Sequence, residues 1–385
     1  YCGMKKILLL LSISLLSGSA PAQDSLQRTP TIAVLLPLYI DSAFNADNYK
    51  LGNGGLPRYM LPALEFYQGM QLAIDSLNKE KINLSVQFHD TKTAAAGMDS
   101  SLANEAIKKA DLLIAMFNNR NEIKPAATFS RDNKIPLLSY TFPNDGGVTA
   151  HPYFVLINPT LKTHLEAIFK YLQRNHPLQT IFLYKRKGAT EELIQQIFEE
   201  LNSTTKASRL KIKPVELTDQ FTPEEATAAL DSTRENLVIC GSLQDEFALN
   251  LTKTLGAAKS YRQTIIGMPT WETGRDYSQF GEIIYTSHFQ TQRNEKAQRN
   301  ISTAYQKKLA GRASDMVYKG FEAMYRFGKI LARNKSQFMS LLSDKSFNLL
   351  NDFDIRAVNV PTDYYENKKI YFIRKQQGLI KSIRE

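Results

Sequence analysis

The sequence predicts an α/β protein made of two doubly wound parallel-sheet lobes, and three observations carry that expectation. Short, wholly apolar runs alternate with amphipathic helical stretches over most of the chain, the alternation starts afresh near residue 153, and the connections between runs are short. A run that is apolar at every position marks a strand covered on both faces, as the strands of parallel sheets are.

The first such run is 31–36, ended by Pro37. A polar, glycine-rich insertion follows over 41–58, and then a helix on which Tyr67, Met70, Ile74 and Leu77 recur at helical spacing. Strands are expected over 84–88, 112–116 and 135–139, separated by helices over 100–109 and 122–131. Short βαβ connections of this kind require right-handed crossovers. The second series has strands over 153–157, 180–184 and 212–217, a run closing at Cys240, and 264–267. Its helices cover 161–174, 191–202, 223–230, with Pro223 in the first turn, and 245–255. A short strand over 283–287 precedes helices over 297–309 and 315–332. The last of these carries Val317, Phe321, Met324, Gly328 and Leu331 on one face, too apolar for a free linker, so it must dock on a lobe. An extended segment over 355–360 and a hairpin of 369–374 with 379–383, turned by Gln377-Gly378, close the chain.

The N-terminal stretch sets the expected compartment. After Tyr1-Cys2-Gly3, the sequence from Met4 reads Lys5-Lys6, an apolar run over 7–16, and Ala20-Pro21-Ala22. A charged region, an apolar region and an A-x-A cleavage site in that order form a secretory signal, so a periplasmic location is expected. The apolar run is too short to anchor in a bilayer, and no later stretch is long and apolar enough to span one. Removing the signal leaves about 360 residues, enough for two domains with their own cores.

The composition, 43% hydrophobic and 22% charged, is that of a globular protein. The formal charge of +10 suits anionic ligands or envelope polymers. Its basic residues are interleaved with acidic ones, as in Lys79-Glu80-Lys81, with no arginine-rich arm and no zinc-finger spacing, which argues against nucleic acid. Cys240 is the one cysteine left after the signal, so no intramolecular disulfide is expected, and its place at the end of an apolar run makes it a packed thiol.

Motifs for catalysis are missing. The chain has no G-x-S-x-G elbow, no H-E-x-x-H, no P-loop and no C-x-x-C. Gly52-Asn53-Gly54-Gly55 lacks the G-x-G-x-x-G spacing, and the histidines at 89, 151, 164, 176 and 288 stand apart, none paired at metal-ligand spacing. Neither an enzyme nor a cofactor is expected.

In open parallel sheets the loops leaving the carboxyl ends of the strands form the ligand crevice. Those loops carry Asn118 and Asn119; Ser139, Tyr140 and Thr141; Lys185, Arg186 and Lys187; Ser242 and Leu243; and Thr270 and Trp271. Ser139 and Thr141 either donate to a ligand or cap the next turn. Trp271, the one tryptophan, either stacks on a ligand or packs in the core. The three cations suit a carboxylate-bearing ligand or face water as a solvated turn.

Several segments resemble type I periplasmic binding proteins, in particular the branched-chain amino-acid-binding and extracellular receptor ligand-binding group. They are Ile32-Ala33-Val34-Leu35-Leu36-Pro37-Leu38, Phe66-Tyr67-Gln68-Gly69-Met70-Gln71-Leu72-Ala73-Ile74, the strand ending His89-Asp90-Thr91, Ile135-Pro136-Leu137-Leu138-Ser139, Pro152-Tyr153-Phe154-Val155 with Asn158-Pro159, and Met316-Val317-Tyr318-Lys319-Gly320-Phe321. The resemblance implies three crossover strands, near 153–158, 286–289 and 346–353. Lobe 1 would then be 31–153 plus 289–345, and lobe 2 would be 158–285 plus 353–385. It also implies a solute-binding protein that closes on a small ligand, anionic or amino-acid-like, and passes it to a membrane transporter such as an ABC permease. The chain departs from the group where Asn118 and Asn119 replace the glycine and small hydroxyl residues that receive a ligand carboxylate. Lys185, Arg186 and Lys187 likewise stand where an acidic or aromatic residue meets an amino group. These departures and the 41–58 insertion favour a second expectation, an envelope interaction protein that regulates cell-wall synthesis through contact with a cell-wall protein.

Overall fold

The computed structural model describes residues 28–93, 97–290 and 294–383; the expected export signal lies outside the described residues. Strand β1 (Thr31–Leu36) is buried at every position, as its unbroken apolar run requires. It lies parallel between β2 (Ser85–Asp90) and β3 (Leu112–Ala115), with Val34 beside Phe88 and Ile114. Strands β4 (Leu137–Ser139) and β5 (Phe154–Leu156) extend this sheet. A separate sheet holds β6 (Thr180–Lys185), β7 (Lys211–Glu216), β8 (Glu235–Cys240), β9 (Arg262–Ile266) and β10 (Ile283–Ser287), all parallel.

The C-terminal strands divide between the two sheets. Strands β11 (Ile355–Val358) and β12 (Tyr364–Asn367) join the first, and β13 (Tyr371–Gln376) and β14 (Leu379–Ile383) join the second. The orders are β11-β12-β5-β4-β3-β1-β2 and β14-β13-β10-β9-β8-β6-β7. The expectation that 353–385 would belong to the second lobe, with a crossing at 346–353, is corrected by this pairing: the chain passes between sheets at 368–370, after β12. β12 escapes an apolar scan because it reads Tyr-Tyr-Glu-Asn, with Glu366 and Asn367 both buried.

The longer helices are α1 (Leu61–Lys79), α2 (Ile123–Asn133), α3 (Leu161–Asn175), α4 (Ala189–Thr204), α5 (Asp245–Ala257), α6 (Glu295–Leu309) and α7 (Asp315–Arg333). The helix expected over 100–109 is two short ones, Met98–Leu102 and Glu105–Lys108, because the Asn104 side chain accepts from Ala106 N at 2.9 Å and starts a new cap. The helix expected over 223–230 ends at Thr227, after a Thr222/Glu225 capping box. Helices α1 and α7 cover one face of the first sheet and α2 the other, giving two apolar clusters on that sheet.

Helix α7 docks through backbone contact. A Cβ on Gly69 would lie 2.0 Å from Val317 O, and one on Gly320 would lie 2.0 Å from Phe66 O. Glycine at both positions lets α1 and α7 touch without side chains between them. On the inner face of α7, the fully buried Glu322 accepts from Leu350 N at 2.9 Å and from Asn351 N at 2.7 Å. The equally buried Arg326 donates to Leu342 O at 2.7 Å. The helix thus fixes the segment that leads into β11.

The crossovers are tied to one another. Glu366 of β12 accepts from Thr160 N at 2.7 Å and Thr163 Oγ1 at 2.8 Å, so a carboxylate from the first sheet caps α3 of the second. Asn367 Nδ2 donates to Ile157 O at 3.3 Å, and Gln290 N donates to Asn351 Oδ1 at 2.8 Å.

Gly320→Ala is expected to destabilise the protein by about 1–3 kcal/mol, the usual cost of forcing a methyl into packed space. Gly281→Ala, where a Cβ meets nothing within 4 Å, should leave the melting temperature unchanged. Thermal unfolding of both variants checks this.

Candidate functional site

Parallel strands direct their carboxyl ends the same way, so the loops after β1, β2, β3 and β4 gather at one end of the first sheet. Asp90, the last residue of β2, organises them. Its carboxylate accepts from Leu38 N at 3.0 Å, Tyr39 N at 3.2 Å, Ile40 N at 2.8 Å and Lys92 N at 2.9 Å. Glu122 does the same for the loop after β3: it accepts from Asn118 N at 2.8 Å and Asn119 Nδ2 at 2.9 Å, and it pairs with Lys92. The sequence places Asp90 at the end of a strand, but reasoning from it missed Glu122. The spacing Asn119-x-x-Glu122 is the available signal, since it has the form of a capping box.

Asn118 and Asn119 are therefore engaged within the chain. Asn118 Nδ2 also donates to Tyr39 Oη at 2.8 Å, and Asn119 Oδ1 caps Asn121 N at 3.0 Å. Tyr140, expected to meet a ligand, is instead a core side chain, packed between Phe66 at 5.4 Å and Phe327 at 6.3 Å. Burial raises its phenol well above the usual range. Its neighbours differ: the fully buried Ser139 Oγ and the Thr141 Oγ1 have no hydrogen-bond partner. Thr91 Oγ1, just past β2, is a third unpaired hydroxyl.

At the second sheet, Lys185, Arg186 and Lys187 each have an acid beside them. Buried Lys185 pairs with Glu192 and lies 3.8 Å from Glu216, Arg186 lies 2.8 Å from Asp219, and Lys187 lies 3.8 Å from Glu216. Sequence could not show these acids, which come from α4, β7 and the turn after it. Ser242 is buried and donates to Glu191 Oε1 at 2.6 Å, and Leu243 packs against the core of the second sheet. Of the two places open to Trp271, a ligand stack or the core, its ring takes the core: it packs on Gly267 and lies 4.5 Å from Tyr277, 4% exposed. Its Nε1 has no partner, nor has the adjacent Thr270 Oγ1. Among the described residues no group of three or more His, Cys, Asp or Glu could hold a metal ion.

The loop after β9 also reaches the first sheet's helices. Glu272 Oε1 lies 3.1 Å from Lys319 Nζ of α7, and Glu272 Oε2 accepts from Ser287 Oγ at 2.7 Å. Lys319 is also 5.0 Å from the Phe289 ring centroid. Two buried histidines lie beside this bridge. His164 of α3 lies 2.9 Å from Thr286 Oγ1 and is pushed down to about 3, by burial first and by His288 second. His288 falls well below the usual range, by burial and by the Lys319 charge. Cys240 is buried, and its thiol is pushed up to about 12, so it is not a thiolate.

This geometry matches a known architecture. The model of the receptor family ligand binding region matches residues 66–261, about half of the chain. The chain belongs to that family. Its fold is that of type I periplasmic binding proteins, and solved structures agree over nearly the whole length. An ABC transporter substrate-binding protein from Desulfitobacterium hafniense, in complex with Leu, aligns at TM-score 0.59 and 13% identity, covering 92% of this chain and 100% of that one. A putative branched-chain amino acid ABC transporter protein from Rhodospirillum rubrum aligns at TM-score 0.68 and 10% identity, covering 92% and 100%. The branched-chain amino acid transporter substrate binding protein LivJ from Streptococcus pneumoniae, in complex with isoleucine, aligns at TM-score 0.55 and 13% identity, covering 93% and 100%. No curated protein matches the sequence. Among the described residues no helix is long and apolar enough to cross a membrane.

The buried histidines give this receptor-family chain a pH dependence. Both are neutral when folded, whereas an unfolded histidine takes up a proton near pH 6.5, so the unfolded state binds more protons below that pH. The His164 contribution is complete above about pH 6.5 and declines as pH falls from there toward 3, a loss of up to about 2 kcal/mol at pH 5 relative to pH 8, and His288 acts in the same direction. Melting temperatures across pH 5–8 should fall toward acid, and His164→Gln should flatten part of that slope.

Proposed function

We propose that this chain is a non-enzymatic solute-binding protein that holds a small polar ligand between its two lobes. The observation that carries the reading is the set of buried, unpaired hydrogen-bonding atoms on the strand-end loops of both sheets: Ser139 Oγ and Thr141 Oγ1 on one, Thr270 Oγ1 and Trp271 Nε1 on the other. Buried polar atoms are nearly always satisfied, so orphans on the strand ends of both sheets are places where a ligand or water can complete the bonding. The neighbouring charges are already paired within the chain, which favours a solute of low net charge or a zwitterion such as an amino acid over a simple anion. The amino acids named for the structural neighbours support that class.

A ligand touching both lobes stabilises their closed arrangement over the open one, and the crossovers at 157–160, 288–290 and 368–370 are where the chain would flex. A closed form of this kind is what a membrane transporter, such as an ABC permease, would recognise. The leader sequence supports an exported, periplasmic setting.

The test is a titration with amino acids, carboxylates and muropeptides, read by melting temperature and by Trp271 fluorescence. A true ligand should bind about tenfold more weakly to Ser139→Ala and Thr141→Ala, the loss of one hydrogen bond each, with the unliganded melting temperature unchanged. A second reading rests on a different observation. The segment after β1 leaves Ile40, Phe44, Tyr49 and Tyr59 exposed, with Phe44 against Tyr49 at 5.5 Å and Tyr39 against Tyr59 at 5.0 Å. Such an apolar surface suits contact with a cell-wall protein. No response to any small molecule would reject the solute-binding reading and leave this one.

A further inference from the structure

A recess of about 720 Å³ lies away from the strand-end loops, between α3, β11 and the 368–374 segment. Lys170 and Arg174 of α3, Arg356 of β11, Lys368 and Lys369 of the third crossover, and Arg374 of β13 all line it. The acidic side chains in its lining are Glu166 and Asp354, so the six bases exceed the acids by four.

Glu366 and Glu282, just outside the lining, lower that excess to two without cancelling it. Arg356 is taken by Asp354 at 2.7 Å and Lys368 by Glu366 at 2.6 Å. Arg374 reaches Glu282 only at 3.6 Å. Lys170 and Arg174, one helical turn apart on α3, have no ion pair or hydrogen bond among the described residues and are exposed. This differs from Lys185, Arg186 and Lys187, each of which has an acid beside it. Beside the cations, Tyr171 stacks on Phe372, with ring centroids 4.6 Å apart and planes at 22°. A concave, low-dielectric wall focuses the field of like charges it carries. Guanidinium groups add bidentate geometry for carboxylate or phosphate.

We propose that this groove binds a small polyanion carrying two or more phosphate or carboxylate groups, at a site separate from the one between the lobes. Because its walls come from a strand of the first sheet and a helix and strand of the second, the ligand spans the third crossover. Its binding therefore depends on how the two sheets are oriented.

The experiment is calorimetric titration and thermal unfolding of the full chain with inorganic triphosphate and with citrate, each at fixed ionic strength. Binding of at least one is expected, and comparison of the two tells phosphate from carboxylate recognition. Affinity should fall as salt rises, because the groove is open to water. The double variant Lys170→Ala/Arg174→Ala should bind at least tenfold more weakly, while its melting temperature without ligand stays that of the parent. Ser139→Ala should leave polyanion binding unchanged, which separates this site from the proposed solute site. Failure of both anions to bind, or a double variant that binds like the parent, would overturn the proposal.

Discussion

Where α1 crosses α7, Gly69 and Gly320 each meet the opposing backbone with no side chain between them. Close approach of this kind leaves no room to slide, so it fixes both the height and the rotation of α7 against the first sheet. Its fixed rotation turns Val317, Met324, Phe327 and Leu331 into the apolar cluster shared with β1 and α1. The same rotation aims Glu322 and Arg326 at the segment 342–351 and Lys319 at Glu272.

Burying ionised groups is costly unless each finds partners, and α7 shows how the chain meets that requirement. Glu322 accepts three hydrogen bonds from residues 350 and 351, and Arg326 donates to backbone carbonyls and lies 4.5 Å from the Phe353 ring centroid. Lys319 spends its charge on Glu272, in the loop after β9. A helix that belongs to the first sheet thus holds a loop of the second by a largely buried ion pair. Removing either partner would leave the other charge largely desolvated. Glu366 acts similarly from the opposite direction, as a first-sheet carboxylate that caps α3.

The order of strands and helices was legible because unbroken apolar runs and helical spacing are local signals. β1, β8 and α7 lie close to where their patterns put them. What was hidden is carried by polar residues whose partners lie far off in sequence. β12 is masked by Glu366 and Asn367, whose burial makes sense only beside Thr160 and Ile157, about 200 residues away. The third crossover accordingly falls later in the chain than the resemblance implies. At the strand-end loops, local chemistry does not show which side chains are spare. Lys185 and Asn118 looked available because Glu192 and Glu122 had not been assigned to them. Tyr140 and Trp271 looked like ligand platforms because nothing local shows that Phe66, Phe327 and Gly267 close over their rings.

Two electrostatic regimes follow from this distribution. At the strand-end loops the carboxylates of Asp90 and Glu122 are consumed by backbone N–H groups and Lys92, and the cations after β6 by their own acids. Besides Arg186 Nε, the unsatisfied atoms there include neutral groups, namely hydroxyls and an indole N–H. Neutral donors discriminate by geometry and by the penalty for leaving a buried group unpaired, not by long-range attraction, so selectivity at that end is short-ranged. Along α3 and the third crossover the opposite holds, since the cations outnumber their acids and face water. A field of that sort acts at a distance, is screened by salt, and tolerates variation in the shape of what it attracts. On the two proposed readings, selective contact and electrostatic attraction are carried by different surfaces of one chain, and the third crossover, beside the Lys368–Glu366 pair, is the covalent path between them.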